Sequence, residues 1–268
     1  MSKYKMPIRE QISNKGTFGK VLNFVGSENY IGAAYLATIS SLKVGAGLSA
    51  LVSTESVIKS VSVMLPEAIY LKQEEGLNNI QDYSVILFGC GVGVKENSKK
   101  LFNEILDKKN SDTPLVIDAD GLNILATSQV KLPEKTIITP HPMEASRLLG
   151  VSLNYILTNL EDTAKALSAK YNCLTVLKNH NTIVCDNDLN IHVNKNGNSA
   201  LAKAGSGDVL AGVIAGLLAQ KMSLFDACKL GVYLHSRTGE IASELFSEYA
   251  VLASDLPKYL HLAIKEII

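Results

Sequence analysis

Asn196–Leu210 reads NGNSALAKAGSGDVL, a glycine-rich turn that runs straight into an apolar segment. From Val209 the apolar residues Leu210, Val213, Ile214, Leu217 and Leu218 recur at the spacing of one broad helix face. A helix opened by such a turn presents first-turn amides that lack intrahelical partners, at the positive end of the helix dipole. That is an anion site. Gly205 and Gly207 leave the backbone open to close approach. Asp208 stands where a carboxylate can reach a nucleophile beside the bound anion. Two readings fit this stretch. One is a phosphoryl-transfer anion hole of Gly205, Ser206 and Gly207 with Asp208 as base. The other is a plain helix N-cap, a position that Ser and Asp favour. Gly212 and Gly216 form a GxxxG pair, which in this setting predicts close packing of two helices.

Upstream, short apolar runs alternate with helix-period segments. Strands are expected at Val21–Val25, Leu48–Val52, Ser84–Phe88, Leu115–Ile117, Thr136–Thr139, Thr175–Leu177, Thr182–Cys185 and Ile191–Val193. Helices are expected at Ala33–Val44, Asn97–Lys109, Met143–Leu149 and Glu161–Tyr171, and over most of the chain after Asp208. This alternation predicts one α/β domain over residues 1–268 with a mainly parallel sheet. Several strands end in Gly, Asp or His, and ligands of open α/β sheets collect at such ends.

Composition narrows the function classes. The chain has 268 residues, 26 Lys+Arg against 26 Asp+Glu, and 47% hydrophobic residues. A net charge of zero argues against nucleic-acid or anionic-membrane binding. Val209–Ala219 is too short to span a bilayer, and Met1–Glu10 lacks the apolar run of a signal peptide. Cys90, Cys173, Cys185 and Cys228 are far apart, which reads as thiols in a reducing cytoplasm. The five histidines show no metal-ligand spacing. No P-loop is present, and Gly89-Cys90-Gly91-Val92-Gly93 departs from the dinucleotide fingerprint by one position.

Taken in order, seven segments carry a resemblance. They are Gly26–Ala34, Val44–Leu48, Gly89–Gly93, Ile117–Asn123, Thr139–Glu144 (TPHPME), Leu177–Thr182 (LKNHNT) and Gly205–Leu210 (GSGDVL). The chain resembles the NAD(P)H-hydrate dehydratase family of the ribokinase-like superfamily. That resemblance implies a three-layer α/β/α sandwich and repair of hydrated NADH and NADPH. The ring hydroxyl is phosphorylated from ADP or ATP, and phosphate is then eliminated. It implies Asp208 as base and Gly205, Ser206 and Gly207 as the anion hole. It assigns Ala33, Gly91, Gly93, Asn123, His141 and Asp208 to the hydrated cofactor. It assigns Lys178, Asn179, His180, Asn181, Thr182 and Gly207 to the nucleotide, and Glu144 to Mg²⁺. It further implies a homotetramer, and a separate epimerase protein acting upstream.

Asp118 and Asp120 read as turn carboxylates that close a strand, without a catalytic role. Where the family pattern has Gly-Asn-Pro-Gly-Met-Ala, this chain has Gly197-Asn198-Ser199-Ala200-Leu201-Ala202; where it has Lys-Gly, this chain has Lys178-Asn179. Two alternatives stand beside this reading. One is a vitamin-precursor type kinase on the same fold, which would leave a stable phosphorylated product. The other is a non-catalytic nucleotide-binding protein, which would lack the base.

Overall fold

The computed structural model describes residues 4–268; the first three residues of the Met1–Glu10 stretch lie outside them. In chain order the elements begin β1 (Lys20–Phe24), α1 (Ile31–Lys43), β2 (Leu48–Val52), α2 (Glu55–Ser62), β3 (Ile69–Leu71) and α3 (Gln73–Asn78). Next come β4 (Val85–Phe88), α4 (Glu96–Lys108), β5 (Leu115–Ile117), α5 (Asp120–Ala126), β6 (Thr136–Ile138) and α6 (Pro142–Leu149). They continue with α7 (Leu153–Thr158), α8 (Leu160–Tyr171), β7 (Leu174–Leu177), β8 (Thr182–Cys185) and β9 (Ile191–Asn194). Three helices, α9 (Ser206–Ala219), α10 (Leu224–Ala250) and α11 (Leu256–Lys265), complete the chain, and α10 is broken at Ser247.

The strands form one nine-stranded sheet in the order β3-β2-β1-β4-β5-β6-β7-β8-β9. Pairing is parallel from β3 through β7 and antiparallel across β7-β8-β9. Strands buried on both faces read as near-continuous apolar runs. Val85–Phe88 carries no polar alternation, and where polar residues do occur, as at Asn23 and Ser49, they hydrogen-bond each other. Successive side chains still point to opposite faces. Val21, Val85, Leu87 and Val116 join the core under α1, α9, α10 and α11. Leu22, Ile86, Phe88 and Ile117 join the core under α4 to α8. The three layers expected from the sequence are therefore present, with one core on each side of the sheet.

Helices α1 and α9 pack along the GxxxG pair. A Cβ on Gly212 would lie 2.2 Å from the Ala37 carbonyl oxygen, and one on Gly216 would lie 2.5 Å from that of Ser41. Only a bare backbone fits this seam.

Strand order reverses between β1 and β4, because β1 is flanked by β2 on one side and β4 on the other. That is the switch point where a crevice opens at the carboxyl ends of the strands. Phe24, Phe88, Ile117 and Ile138 are paired in register across β1, β4, β5 and β6. The loops that follow them therefore emerge at one level.

Candidate active site

Four strand ends and one helix start converge at this crevice. The start of α9 is set by Gly205, whose φ of +91° places it in the left-handed region and whose absent Cβ would meet Leu36 at 2.6 Å. Gly205 is itself the N-cap residue and makes no side-chain cap bond. The capping alternative for Ser206 and Asp208 is therefore overturned: they occupy the first and third helical positions. The helical ladder begins at Val209, whose amide donates to the Gly205 carbonyl at 3.2 Å. The amides of Gly207 and Asp208 precede it. Ser206 is turned away to His235, whose Nε2 lies 3.0 Å from Ser206 Oγ and 2.9 Å from Ser206 O. Burial pushes His235 down to about 4, so the ring is neutral and donates to that carbonyl.

Asp118 at the end of β5 is 1% exposed. It is not a solvated turn carboxylate, as its sequence context suggested. Its Oδ1 accepts from Thr139 Oγ1 at 2.7 Å and from Lys178 Nζ at 2.6 Å. Cys90 Sγ faces its Oδ2 at 3.8 Å. The donor atoms of Cys90, Asp118 and Asp208 lie within 4.8 Å of one another. Burial foremost, and then the charge of Asp118, push the Asp208 carboxyl up to about 6. Opposite charges raise the Lys178 ammonium above the usual lysine range against the effect of its burial. The Nζ sits 3.2 Å from where a Gly207 Cβ would be. Gly207 thus admits the ammonium to the first turn of α9.

Asp120 is also occupied, since it accepts from the Gly93 amide at 2.8 Å and pins the Gly89–Gly93 loop. That loop is stitched to β1 as well. Gly26 N donates to the Cys90 carbonyl and Ser27 Oγ to the Gly91 carbonyl, both at 2.7 Å. A Cβ on Gly91 would lie 3.0 Å from that of Ala33 and 2.5 Å from that of Tyr30. Ala33 and Gly91 therefore form one small-residue wall.

His141 caps α6. Its Nδ1 accepts from the amides of Met143 at 3.1 Å and Glu144 at 3.4 Å, while Glu144 Oε2 accepts from the His141 amide at 2.8 Å. Burial lowers the His141 pKa, and Lys178 adds to this. With Nδ1 used as acceptor, the proton of the neutral ring is on Nε2. His141 can donate a hydrogen bond from Nε2 but cannot act there as a base. Burial pushes Glu144 up to about 7. Its Oε1 lies 3.4 Å from His141 Nε2, and this carboxyl could hold a nucleotide-borne Mg²⁺. That ion takes one or two carboxylates and keeps its waters.

A cleft of about 920 Å³ opens beside these groups. Its lining includes His141, Lys178, Asn179, His180, Thr182, Ser206 and Gly207. Asn181 instead lines a separate depression with Leu157 and Glu161, and Asn123 is engaged by Arg147 Nη1 at 2.9 Å. Sequence reading missed Asn198, Val232, His235 and Ser236, which also line the cleft. The departure at Gly197–Ala202 has a structural counterpart on α10. Gly197 N donates to Glu240 at 2.6 Å, Asn198 Nδ2 donates to Ser243 at 2.7 Å, and Ser199 Oγ donates to Glu248. Where the family pattern stiffens this turn with Pro-Gly, this chain ties it down with side chains.

The family model described as NAD(P)H-hydrate dehydratase matches residues 21–262. An ADP-dependent (S)-NAD(P)H-hydrate dehydratase of Neisseria meningitidis serogroup B is 36% identical over 242 residues, covering 88% of this chain and 81% of that protein. The bifunctional NAD(P)H-hydrate repair enzyme Nnr of Coxiella burnetii is 35% identical over 97% of this chain, which spans 53% of its length. The chain thus covers about half of the bifunctional relatives it matches. Among solved structures, the ADP/ATP-dependent NAD(P)H-hydrate dehydratase from Bacillus subtilis, co-crystallized with ATP/Mg²⁺, superposes with a TM-score of 0.90. It is 30% identical, over 98% of this chain and 95% of that one. The ribokinase-like architecture implied by the resemblance is the one observed.

Proposed function

Because the chain belongs to the NAD(P)H-hydrate dehydratase family, we propose that it restores hydrated NADH and NADPH by nucleotide-dependent dehydration. The observation that carries this reading is the Asp208 carboxyl at the open start of α9, with the Lys178 ammonium beside Gly207. Asp208 takes the proton of the ring hydroxyl as its oxygen attacks the terminal phosphorus of ADP or ATP, and the bridging P–O bond breaks to release AMP or ADP. The amides of Gly207 and Asp208 and the Lys178 ammonium receive the charge on the transferred phosphoryl group. The ring carbon–oxygen bond then breaks and phosphate leaves with the oxygen. Loss of a proton from the neighbouring carbon restores the double bond. The wall of Ala33 and Gly91 and the Nε2–H of neutral His141 orient the hydrated ring, while Lys178, Asn179, His180 and Thr182 hold the nucleotide phosphates. Glu144 would hold a nucleotide-bound Mg²⁺ through its waters, and the ion would neutralise phosphate charge. An upstream epimerase would complete the repair, as relatives of about twice this length are named bifunctional repair enzymes.

Purified protein is to be incubated with hydrated NADH, Mg²⁺ and ADP or ATP while reduced-nicotinamide absorbance is followed. Nucleotide should be consumed one-for-one with repaired cofactor. Full repair without nucleotide rejects the mechanism, and a stable phosphorylated product converts the reading to a kinase.

The pH profile is a second test. Asp208 is the base only when ionised, and its folded pKa is raised to about 6. Activity is therefore lost as pH falls through about 6, roughly tenfold in kcat/KM per unit below it. An acid limb that stays flat down to the ordinary aspartate range removes Asp208 as the titrating base. Glu144 titrates nearby, at about 7, so the limb should persist in Glu144→Gln.

A further inference from the structure

We propose that Asp118 is a positioning residue for phosphoryl transfer, holding the Lys178 ammonium against the first turn of α9. The inference rests on the nucleotide-dependent reading above and assigns a task to a side chain that this reading leaves unused.

The placement of Asp118 is over-determined. Its amide donates to the Phe88 carbonyl at 3.1 Å, and its own carbonyl accepts from Gly121 at 3.0 Å. The next residue, Ala119, has φ 50° and ψ −117°, a conformation that L residues adopt only when the surroundings impose it. Thr139 Oγ1 fixes Oδ1 from the far side at 2.7 Å. The carboxylate is thus pinned before any ligand arrives, and Oδ2 lies 3.7 Å from where a Gly207 Cβ would be.

Lysine offers a point charge on a flexible four-carbon stem. A lysine at a strand end, with no partner, follows the phosphates wherever the nucleotide carries them. Here one of its three ammonium protons is given to Asp118 Oδ1 at 2.6 Å, which leaves two for phosphoryl oxygens. Asp118 therefore decides where the charge stands, although as an anion it competes with phosphate for that charge. The two effects have opposite signs on binding and on rate. Removing the carboxylate charge leaves nucleotide affinity unchanged or tighter, while turnover falls because the ammonium is misplaced.

The test uses Asp118→Asn, Lys178→Gln and the double variant of the full chain. Turnover is measured on hydrated NADH, and calorimetry measures nucleotide Kd. Asp118→Asn should lower kcat by roughly 10²-fold, the scale of a misplacement of about 1 Å, with Kd within threefold of wild type or tighter. The double variant should be no slower than Lys178→Gln alone, because Asp118 acts through Lys178. A merely structural role would weaken Kd along with kcat and would overturn the proposal. So would a kcat within threefold of wild type, or additive losses in the double variant. Should Asp118→Asn fail to fold, Thr139→Val removes one anchor of the same carboxylate. It is expected to lower kcat severalfold at unchanged Kd, and an unaltered kcat there overturns the proposal. Wild-type turnover separates the two ideas. Its absence rejects the functional reading, and its presence with an unimpaired Asp118→Asn rejects only the role of Asp118.

Discussion

Asp208→Asn is expected to fold, bind nucleotide and turn over about 10²–10⁴ times more slowly than wild type. Asparagine keeps the size of the side chain and a hydrogen-bond acceptor at its tip. It cannot take the hydroxyl proton. No capping bond is lost, because Gly205 holds the N-cap position without side-chain help. The ionised form of Asp208 is disfavoured by burial and by Asp118, so removing it relieves like-charge repulsion. The melting temperature should stay level or rise, and calorimetry should show unchanged or tighter nucleotide binding. Single-turnover kinetics supply the decisive number. A kcat within threefold of wild type, far inside the range for losing a general base, would exclude Asp208 from the chemistry.

The second large effect lies in the backbone. Gly89 has φ +121°, and a Cβ there would stand 2.1 Å from the Asp118 carbonyl oxygen and 2.7 Å from the Gly121 amide nitrogen. Both obstacles are main chain, so no side chain can rotate away. Gly89→Ala must displace the turn that carries Asp118, and with it Lys178. A loss of about 3 kcal/mol or more is expected from strain and clash together, or a drop of roughly 6–12 °C in melting temperature for a chain of this size. Activity should be nearly abolished even where the variant is folded. Gly93→Ala is the control. Gly93 also has a positive φ, of +74°, but nothing lies within 4 Å of its Cβ position. It should lose only about 1 kcal/mol to backbone strain. Equal melting temperatures for the two variants would refute the steric account.

The architecture was readable in the chain because strands buried on two faces are written as mainly apolar runs. Leu48–Val52, Leu115–Ile117 and Thr182–Cys185 have the expected bounds, and most other strand bounds differ by a residue. The elements that escaped are short or polar. β3 is a three-residue edge strand with Ile69 exposed, and α2, α3, α5 and α7 have at most eight residues each. Such pieces acquire their structure from tertiary packing and carry little periodicity of their own. The start of α9 was also readable as a helix start, since a glycine turn before an apolar helical pattern is a local signal, although that signal left the roles of Ser206 and Asp208 open. The bond between Asp118 and Lys178 was not. The two residues stand 60 positions apart and meet only because β5 and β7 flank β6 in the sheet. Local spacing cannot express that adjacency. The same limit explains His235, which reaches Ser206 from the following helix, and Asn181, which turns out of the cleft its neighbours line.

The glycine seam between α1 and α9 bears on how this protein can change. The start of α9 opens on the cleft through Ser206 and Gly207, while Ala33, in the first turn of α1, packs at the Gly91 wall. Where the two helices touch, backbone meets backbone at Gly212 and Gly216. The spacing between the start of α9 and the Ala33 wall is therefore set by main-chain radii, and ordinary core substitutions elsewhere leave it alone. The Gly197–Ala202 turn at the rim is fastened to α10 instead, so it can be rebuilt without altering that spacing. That span behaves as a fixed ruler, and the residues at its ends can be exchanged without recalibrating its length.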